Sequence, residues 1–337
     1  MSKKTGIIGC FDGNGAAKTN IFYEQLKKRG FDDVRCVDIG CGTSYKVSVM
    51  LDIFKCIKYC EIIVVFSDCL KYLPIICFVK KIFKKRIYNN IIGGDFAQKL
   101  KGNSKYIKYL NELDANWVEF SKLAKDLTAL GILNCDVISN FKEVNIKNAL
   151  EKVSENGNNK FCMSGGITAE SGIADAIDAV LKYNCDNQEK IRVEIWGDID
   201  DDYKEEFESL IKHDCVEYMG CADSDKITDA ITDNIAMLFP SKKQSEGFSL
   251  SLIDAYAAAV PIIASDVGAN SEVIRNFETG WVYPDDNAKT LYESIKWAME
   301  HKQEMSAMRR NCLLLSTRYK PDFVMRRLVD KYFKDLK

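Results

Sequence analysis

Histidine is almost missing from these 337 residues: only His213 and His301 occur, and both fall on the surface of predicted helices, as solvated side chains rather than catalytic bases. An excess of one charge is missing too. With 47 Lys and Arg against 49 Asp and Glu, the net charge of −2 gives no overall pull toward nucleic acid. The thirteen cysteines, an odd number running from Cys10 to Cys312, contain no CxxC pair. That excludes the usual zinc pattern and a disulfide framework, and points to reduced thiols in a cytoplasmic compartment. Long apolar runs are scarce. The opening MSKKTGIIGCFDG reaches Asp12 too soon for the core of a secretion signal. The run from Ile62 to Val79 is long enough to suspect of spanning a bilayer, but it holds Asp68, Lys71 and Pro74. It reads as a buried strand followed by a helix. A GxGxxG turn with an acid about twenty residues on is also missing, so a dinucleotide fingerprint has little support.

What is present is an ordinary soluble composition, 47% hydrophobic and 28% charged, in a chain long enough for two cores. Short β-branched runs alternate with helical stretches: GIIGCF, VRCVDI, EIIVVFS, IYNNIIGG, NWVEFS and DVISNF in the first half. After the polar SENGNNK the pattern restarts with KFCMSGG, IRVEIWGD, VEYMG, IAMLFPS, PIIASD and GWVYP. Alternation of this kind predicts α/β architecture, with parallel sheets wrapped by helices. The expected division is residues 1–156, residues 157–318 and a closing helix over 319–337. Pro321 separates that helix from its predecessor, and Phe323, Val324, Leu328 and Val329 are expected on its packing side. Ligands of open parallel sheets bind beyond the carboxyl ends of strands, where Gly13 and Gly15 and, in the second half, Gly165 and Gly166 fall. Trp196, Tyr218 and Trp281 read as core.

The stretch SEGFSLSLIDA, Ser245 to Ala255, places two carboxylates, Glu246 and Asp254, around the start of a predicted helix. A helix start has backbone N–H groups without partners, so an acid beside it suggests a polar ligand held from two sides. Taken in order, IWGDID, VEYMG, LFPSKKQSEGFSLSLIDAYAAAVPIIASD, SEVI and TGWVYP resemble the donor-binding domain of the retaining GT-B glycosyltransferases of family GT4. The resemblance is specific from Lys160 to about Tyr319 and looser in the first half. It is nearest to the bacterial branch that builds capsular polysaccharide and exopolysaccharide, where the second acid of the E-x7-E motif is often Asp.

The resemblance implies two Rossmann-like domains facing a cleft, the first for the acceptor and the second for a nucleotide-sugar donor, with the closing helix returning to the first. It implies transfer of a hexosyl group with retention and without a metal, the nucleotide sugar serving as substrate rather than cofactor. By analogy Glu246 is the catalytic-site acid that accepts hydrogen bonds from the transferred sugar, and Asp254 binds the ribose. The N–H groups of Gly247, Phe248, Ser249 and Leu250 face the diphosphate, and Gly13, Gly165, Gly166 and Ser171 belong to the same donor site. The acceptor side takes Asn14, Gly15, Lys18, Asp95 and Glu119. The acceptor is a saccharide, commonly lipid-linked. Where relatives carry Arg and Lys in GR…KG, this chain reads GGITAESG, with Gly166 and Ser171 at those positions. Lys242, Lys243 or Lys18 is then left to supply charge to the leaving diphosphate. The loss of those two cations keeps a second reading open, a degenerate scaffold for a partner transferase. The segment VKKIFKKRIY, with Lys80, Lys81, Lys84, Lys85 and Arg86 around Ile82 and Phe83, is expected to lie against an anionic leaflet on the inner face of the plasma membrane.

Overall fold

The continuous apolar runs GIIG, IIVVF, IAML and IIAS become inner strands buried on both faces, as parallel sheets require, while VRCVD, CDV and VEYMG become partly exposed strands. The computed structural model describes residues 4–11, 16–40, 46–152, 158–223, 226–284 and 288–334, except for the side chains of 16, 17, 67–69 and 152. The chain forms two compact units. Residues 1–140 and 321–337 make the first, and residues 141–320 the second. The stretch from Phe141 therefore packs with the second unit, ahead of the division expected at 156.

In the first unit six parallel strands run β1 (Thr5–Gly9), β2 (Val34–Asp38), β3 (Ile62–Phe66), β4 (Arg86–Asn90), β5 (Ala115–Val118) and β6 (Cys135–Val137). Their spatial order is β2-β1-β3-β4-β5-β6. Order reverses beside β1, so the turn after β1 stands at the switch point. Gly13, Asn14 and Gly15, which follow β1 in the sequence, lie outside the described residues. The suspect run 62–79 divides into β3, a 3-10 turn and the helix Leu73–Phe83. Among the described residues no helix is long and apolar enough to cross a membrane. Two helices before β5, Phe96–Leu100 and Ser104–Glu112, are absent from the sequence reading.

The closing helix Pro321–Tyr332 belongs to this unit and packs on the helix Ala16–Lys28. Val324, Met325, Leu328 and Val329 are buried on it, while Phe323 is 42% exposed. Phe323 therefore leaves the expected packing face, because at 100° per residue it falls beside the stripe that begins at Val324 and Met325. Arg29 pairs with Asp322 at 3.0 Å, and the Phe31 and Phe333 rings meet edge to face at 5.5 Å.

The second unit repeats the plan with β7 (Asn158–Ser164), β8 (Arg192–Trp196), β9 (Val216–Gly220), β10 (Asn234–Phe239), β11 (Ile262–Ser265) and β12 (Gly280–Tyr283). Its order is β12-β11-β10-β7-β8-β9, again all parallel. Here the reversal lies between β7 and β10, the two central strands. The helix Leu250–Ala257 follows β10, and its residues 251–257 are all buried. Trp281 is buried as expected, while Trp196 and Tyr218 are only half-buried. His213 lies exposed in the turn after the helix Lys204–Leu210. His301 sits at the start of the helix Lys302–Ser316, its ring stacked on Trp297 at 4.4 Å.

Candidate donor site in the second unit

A pocket of about 210 Å³ opens at the carboxyl ends of β7, β8 and β10. This is where the reversal of strand order leaves a crevice between outgoing loops. The turn after β7 contributes Gly165, Gly166, Glu170 and Ser171, and β8 contributes Trp196. The turn after β10 contributes Ser241, Lys243, Glu246 and Ser249. The floor is apolar, with Ile195 and Leu238 among its residues.

Two glycines let these turns come so close. Gly197 has φ +147, and a Cβ there would stand 1.7 Å from the carbonyl oxygen of Gly165. Gly268 has φ +55, and a Cβ there would stand 2.0 Å from the carbonyl oxygen of Glu246. Neither position tolerates a side chain, so only glycine lets the backbones of Gly165 and Glu246 come this close.

Glu246 is held in the pocket wall by the Ser241 hydroxyl, which donates to Oε2 at 2.9 Å. Burial pushes its carboxyl up from the ordinary range; the Ser241 hydrogen bond, the Lys243 ammonium and the Gly247 N–H oppose that rise, and the Glu170 carboxylate adds to it. Ser249 caps the helix Leu250–Ala257 by accepting from the Ser251 N–H at 3.3 Å, so the first turn of that helix opens beside the pocket. Trp196 brings an indole Nε1 that is buried and has no hydrogen-bond partner among the described residues. Such a donor gains free energy from any acceptor that enters.

The two lysines separate. Lys242 pairs with Asp175 at 2.8 Å, while Lys243 is exposed and lines the pocket. Ser171 lines the pocket, but its Oγ donates to the Thr168 carbonyl at 2.6 Å. A Cβ at Gly166 would meet nothing within 4 Å, so a larger side chain has room there. Phe248 is buried, with its ring edge-on to Tyr319 at 5.1 Å, and Leu250 is 39% exposed; neither lines the pocket.

Asp254 differs from the expectation most. It is only 4% exposed and does not line the pocket. Both of its oxygens accept from Lys142 Nζ, each at 2.8 Å. One turn and a half of helix carries its side chain away from Glu246, and a cation from a distant part of the chain meets it there. Burial raises its carboxyl to about 6, with Lys142 opposing. The Lys142 N–H in turn donates to the Tyr319 carbonyl at 3.1 Å.

In the first unit, Lys18 and Glu119 form an ion pair, and the Gly93 N–H reaches the other oxygen of Glu119 at 3.5 Å. Glu119 is buried, at the end of β5. Lys18 therefore serves Glu119 rather than standing as a free cation. Asp95 pairs with Lys99 at 2.9 Å instead of joining that group.

Four participants escaped the sequence reading. Ser241 and Gly268 each follow a strand end, in LFPS and ASDVG, and the strand-end rule could have found them. Trp196 reads as core in the sequence, with nothing local to set it apart from Trp281. Lys142 had no local signal, since its partner lies 112 residues away.

Parts of this chain are similar to known proteins. The family model described as "Glycosyl transferases group 1" matches residues 145–312, just under half of the chain and most of the second unit. Among curated proteins, D-rhamnosyltransferase WbpZ of Pseudomonas aeruginosa is 31% identical over 97 residues, which is 28% of this chain and 26% of that protein. Lipopolysaccharide core biosynthesis mannosyltransferase LpsB of Rhizobium meliloti is 33% identical over 78 residues, 23% of this chain and 22% of that protein. The matches thus span about a quarter of those relatives' own length. Among solved structures, Anabaena HepE in complex with UDP and glucose superposes with a TM-score of 0.75 at 12% identity, covering 98% of this chain and 100% of that one. The fold is therefore that of the GT-B glycosyltransferases, and its second unit carries a group 1 glycosyl transferase domain.

Proposed function

We propose that this protein is a retaining hexosyltransferase of family GT4, working without a metal at the cytoplasmic face of the plasma membrane during capsular or other surface polysaccharide assembly. One observation carries the reading: a pocket at the switch point of the second sheet, walled by Glu246 and Lys243 and opened on one side by the Ser249-capped helix start. The group 1 domain match and the named polysaccharide transferases support it.

In this mechanism the bond between the anomeric carbon and the diphosphate oxygen breaks, and its electron pair stays on that oxygen. The acceptor hydroxyl oxygen bonds the same carbon on the face the diphosphate leaves, and its proton passes to the departing oxygen. Glu246 accepts hydrogen bonds from sugar hydroxyls and fixes the ring. Lys243 and the N–H groups at the start of the helix Leu250–Ala257 stabilise the growing negative charge. Trp196 Nε1 supplies a further donor to the bound nucleotide sugar. The acceptor is a saccharide carried on a lipid, met by the first unit near Glu119, Gly93 and Asp95.

The test is a thermal-shift panel of UDP-, GDP- and dTDP-sugars, followed by product analysis of the anomeric configuration with and without EDTA. A donor that raises the melting point and is turned over with retention supports the reading. A second reading, a scaffold for a partner transferase, is favoured by Lys243 being the one lysine or arginine among the described residues that wall the pocket. Donor binding without turnover, restored by a partner enzyme, would establish that instead.

A further inference from the structure

In the second unit, the turn ahead of β12 places the Phe277 ring in water at 66% exposure. Its φ is +59, a left-handed backbone that a residue with a bulky side chain rarely adopts. Hydrogen bonds hold the turn in that shape. The Phe277 N–H donates to the Gly280 carbonyl at 2.7 Å, and the Thr279 N–H donates to the Arg275 carbonyl at 2.9 Å. Strain of this kind persists where a function depends on it, and what this turn delivers is an outward-facing aromatic ring.

More rings stand beside it. Trp281 backs one face of Phe277, with 6.3 Å between centroids and 14° between planes, which leaves the other face to solvent. Phe277 and Trp297 meet edge to face at 5.7 Å, and His301 stacks on Trp297 at 4.4 Å. Trp297 and His301 are half-buried, so Phe277, Trp297 and His301 form one strip along the surface. Polar groups with spare capacity border the strip. Asn276 Oδ1 accepts from the Val282 N–H at 2.8 Å, while its amide NH2 has no hydrogen-bond partner among the described residues. His301 Nδ1 donates to the Trp297 carbonyl at 2.9 Å, so in the neutral ring Nε2 is an acceptor. Nearby charges are matched: Arg275 pairs with Glu278 at 3.5 Å and Lys296 with Glu300 at 4.0 Å.

We propose that this strip binds a neutral oligosaccharide, with one pyranose lying on Phe277 and the chain continuing over Trp297 and His301. The C–H face of a pyranose is apolar and slightly positive, and it suits the negative face of an aromatic ring. Its hydroxyls need donors and acceptors at the border, which the Asn276 amide and His301 Nε2 supply. Matched charge around the rings favours a neutral ligand over a phosphate-rich one. The strip lies at the amino end of β12, whereas the donor pocket opens at the carboxyl ends of β7, β8 and β10. It therefore holds saccharide that is not the transferred sugar. The inference goes beyond the proposed function and rests on it only for the presence of saccharide chains near the protein.

Calorimetric titration of the full chain with maltopentaose, cellopentaose and mannopentaose, in the absence of any nucleotide sugar, tests it without turnover. A failed donor assay and a failed titration therefore bear on different statements. The expected result is saturable binding of at least one pentasaccharide, with magnetisation passing from aromatic protons to sugar C–H protons in a saturation-transfer experiment. Phe277→Tyr keeps the ring and binds within about 3-fold of the wild type. Phe277→Asn lowers the affinity about 10-fold or more, from the loss of the stacked face. Asparagine accepts a left-handed backbone readily, so this variant keeps the wild-type melting temperature; a Phe277 that served packing alone would lose stability instead. The inference is overturned by an absence of binding to all three sugars, by a Phe277→Asn variant that binds undiminished, or by a wild-type dimer that dissociates in that variant, which would make a second copy the occupant of the strip.

Discussion

Replacing Lys142 with Met removes the cation from Asp254 while keeping the bulk of the stem. The wild-type carboxylate is almost fully buried and takes both of its short hydrogen bonds from Lys142 Nζ. Left alone it is an unpaired buried charge, and breaking such pairs costs about 3–5 kcal/mol. The pH dependence identifies the cause. Asp254 has a folded value of about 6, raised from 3.8, so the folded state binds its proton more tightly. Its contribution to stability is complete below about pH 4 and is lost as pH rises through about 6, a loss of about 3 kcal/mol in the wild type at 1.36 kcal/mol per unit. Without Lys142 the folded value climbs further and the loss extends into the neutral range. The Lys142→Met penalty is therefore full at pH 8 and shrinks to about 1 kcal/mol at pH 5, where the acid is neutral. Adding Asp254→Asn recovers most of the penalty at pH 8. Urea unfolding followed by tryptophan fluorescence in a Trp117→Phe background reads the second unit, because Trp196, Trp281 and Trp297 lie in it and Trp117 lies in the first. A penalty equal at pH 5 and pH 8, or below about 1 kcal/mol at both, would refute the reasoning.

Glu246→Gln keeps the Ser241 contact but accepts more weakly from sugar hydroxyls, and turnover in the donor assay falls by roughly 10- to 100-fold with little change in melting point. Trp196→Phe removes the unpartnered indole donor and keeps an aromatic ring, so donor affinity in a calorimetric titration drops roughly 3- to 10-fold. Gly268→Ala drives a Cβ toward the Glu246 carbonyl at a positive φ; it destabilises by about 2 kcal/mol or more and lowers activity through the displaced Glu246 loop. Gly166→Arg enters open space beside the pocket, so it folds normally and raises turnover of a nucleotide diphosphate sugar if charge on the leaving group limits the rate.

The alternation of strands and helices was legible because parallel strands are buried on both faces and so read as unbroken apolar runs, IIVVF and IAMLF being plain cases. The short helices before β5 left no such run and were missed; Ser104–Glu112 buries only Leu110. SEGFS could be placed at a strand-to-helix turn from local chemistry alone, and Glu246 does line the pocket. Asp254 has the same carboxylate and lies eight residues on, yet its surroundings could not be read from those residues. A helix carries it to Lys142, and Lys18 likewise meets Glu119 across 101 residues.

The sequence by itself determined the periodicities, hence two parallel sheets and the turns at which polar groups gather, because these follow from side-chain spacing along the chain. Which of those groups remain open to a ligand was decided by the tertiary structure alone. Charge pairing acts through space over a few ångströms, and folding chooses the neighbours: Ser241 and Lys243 for Glu246, and a buried ammonium for Asp254.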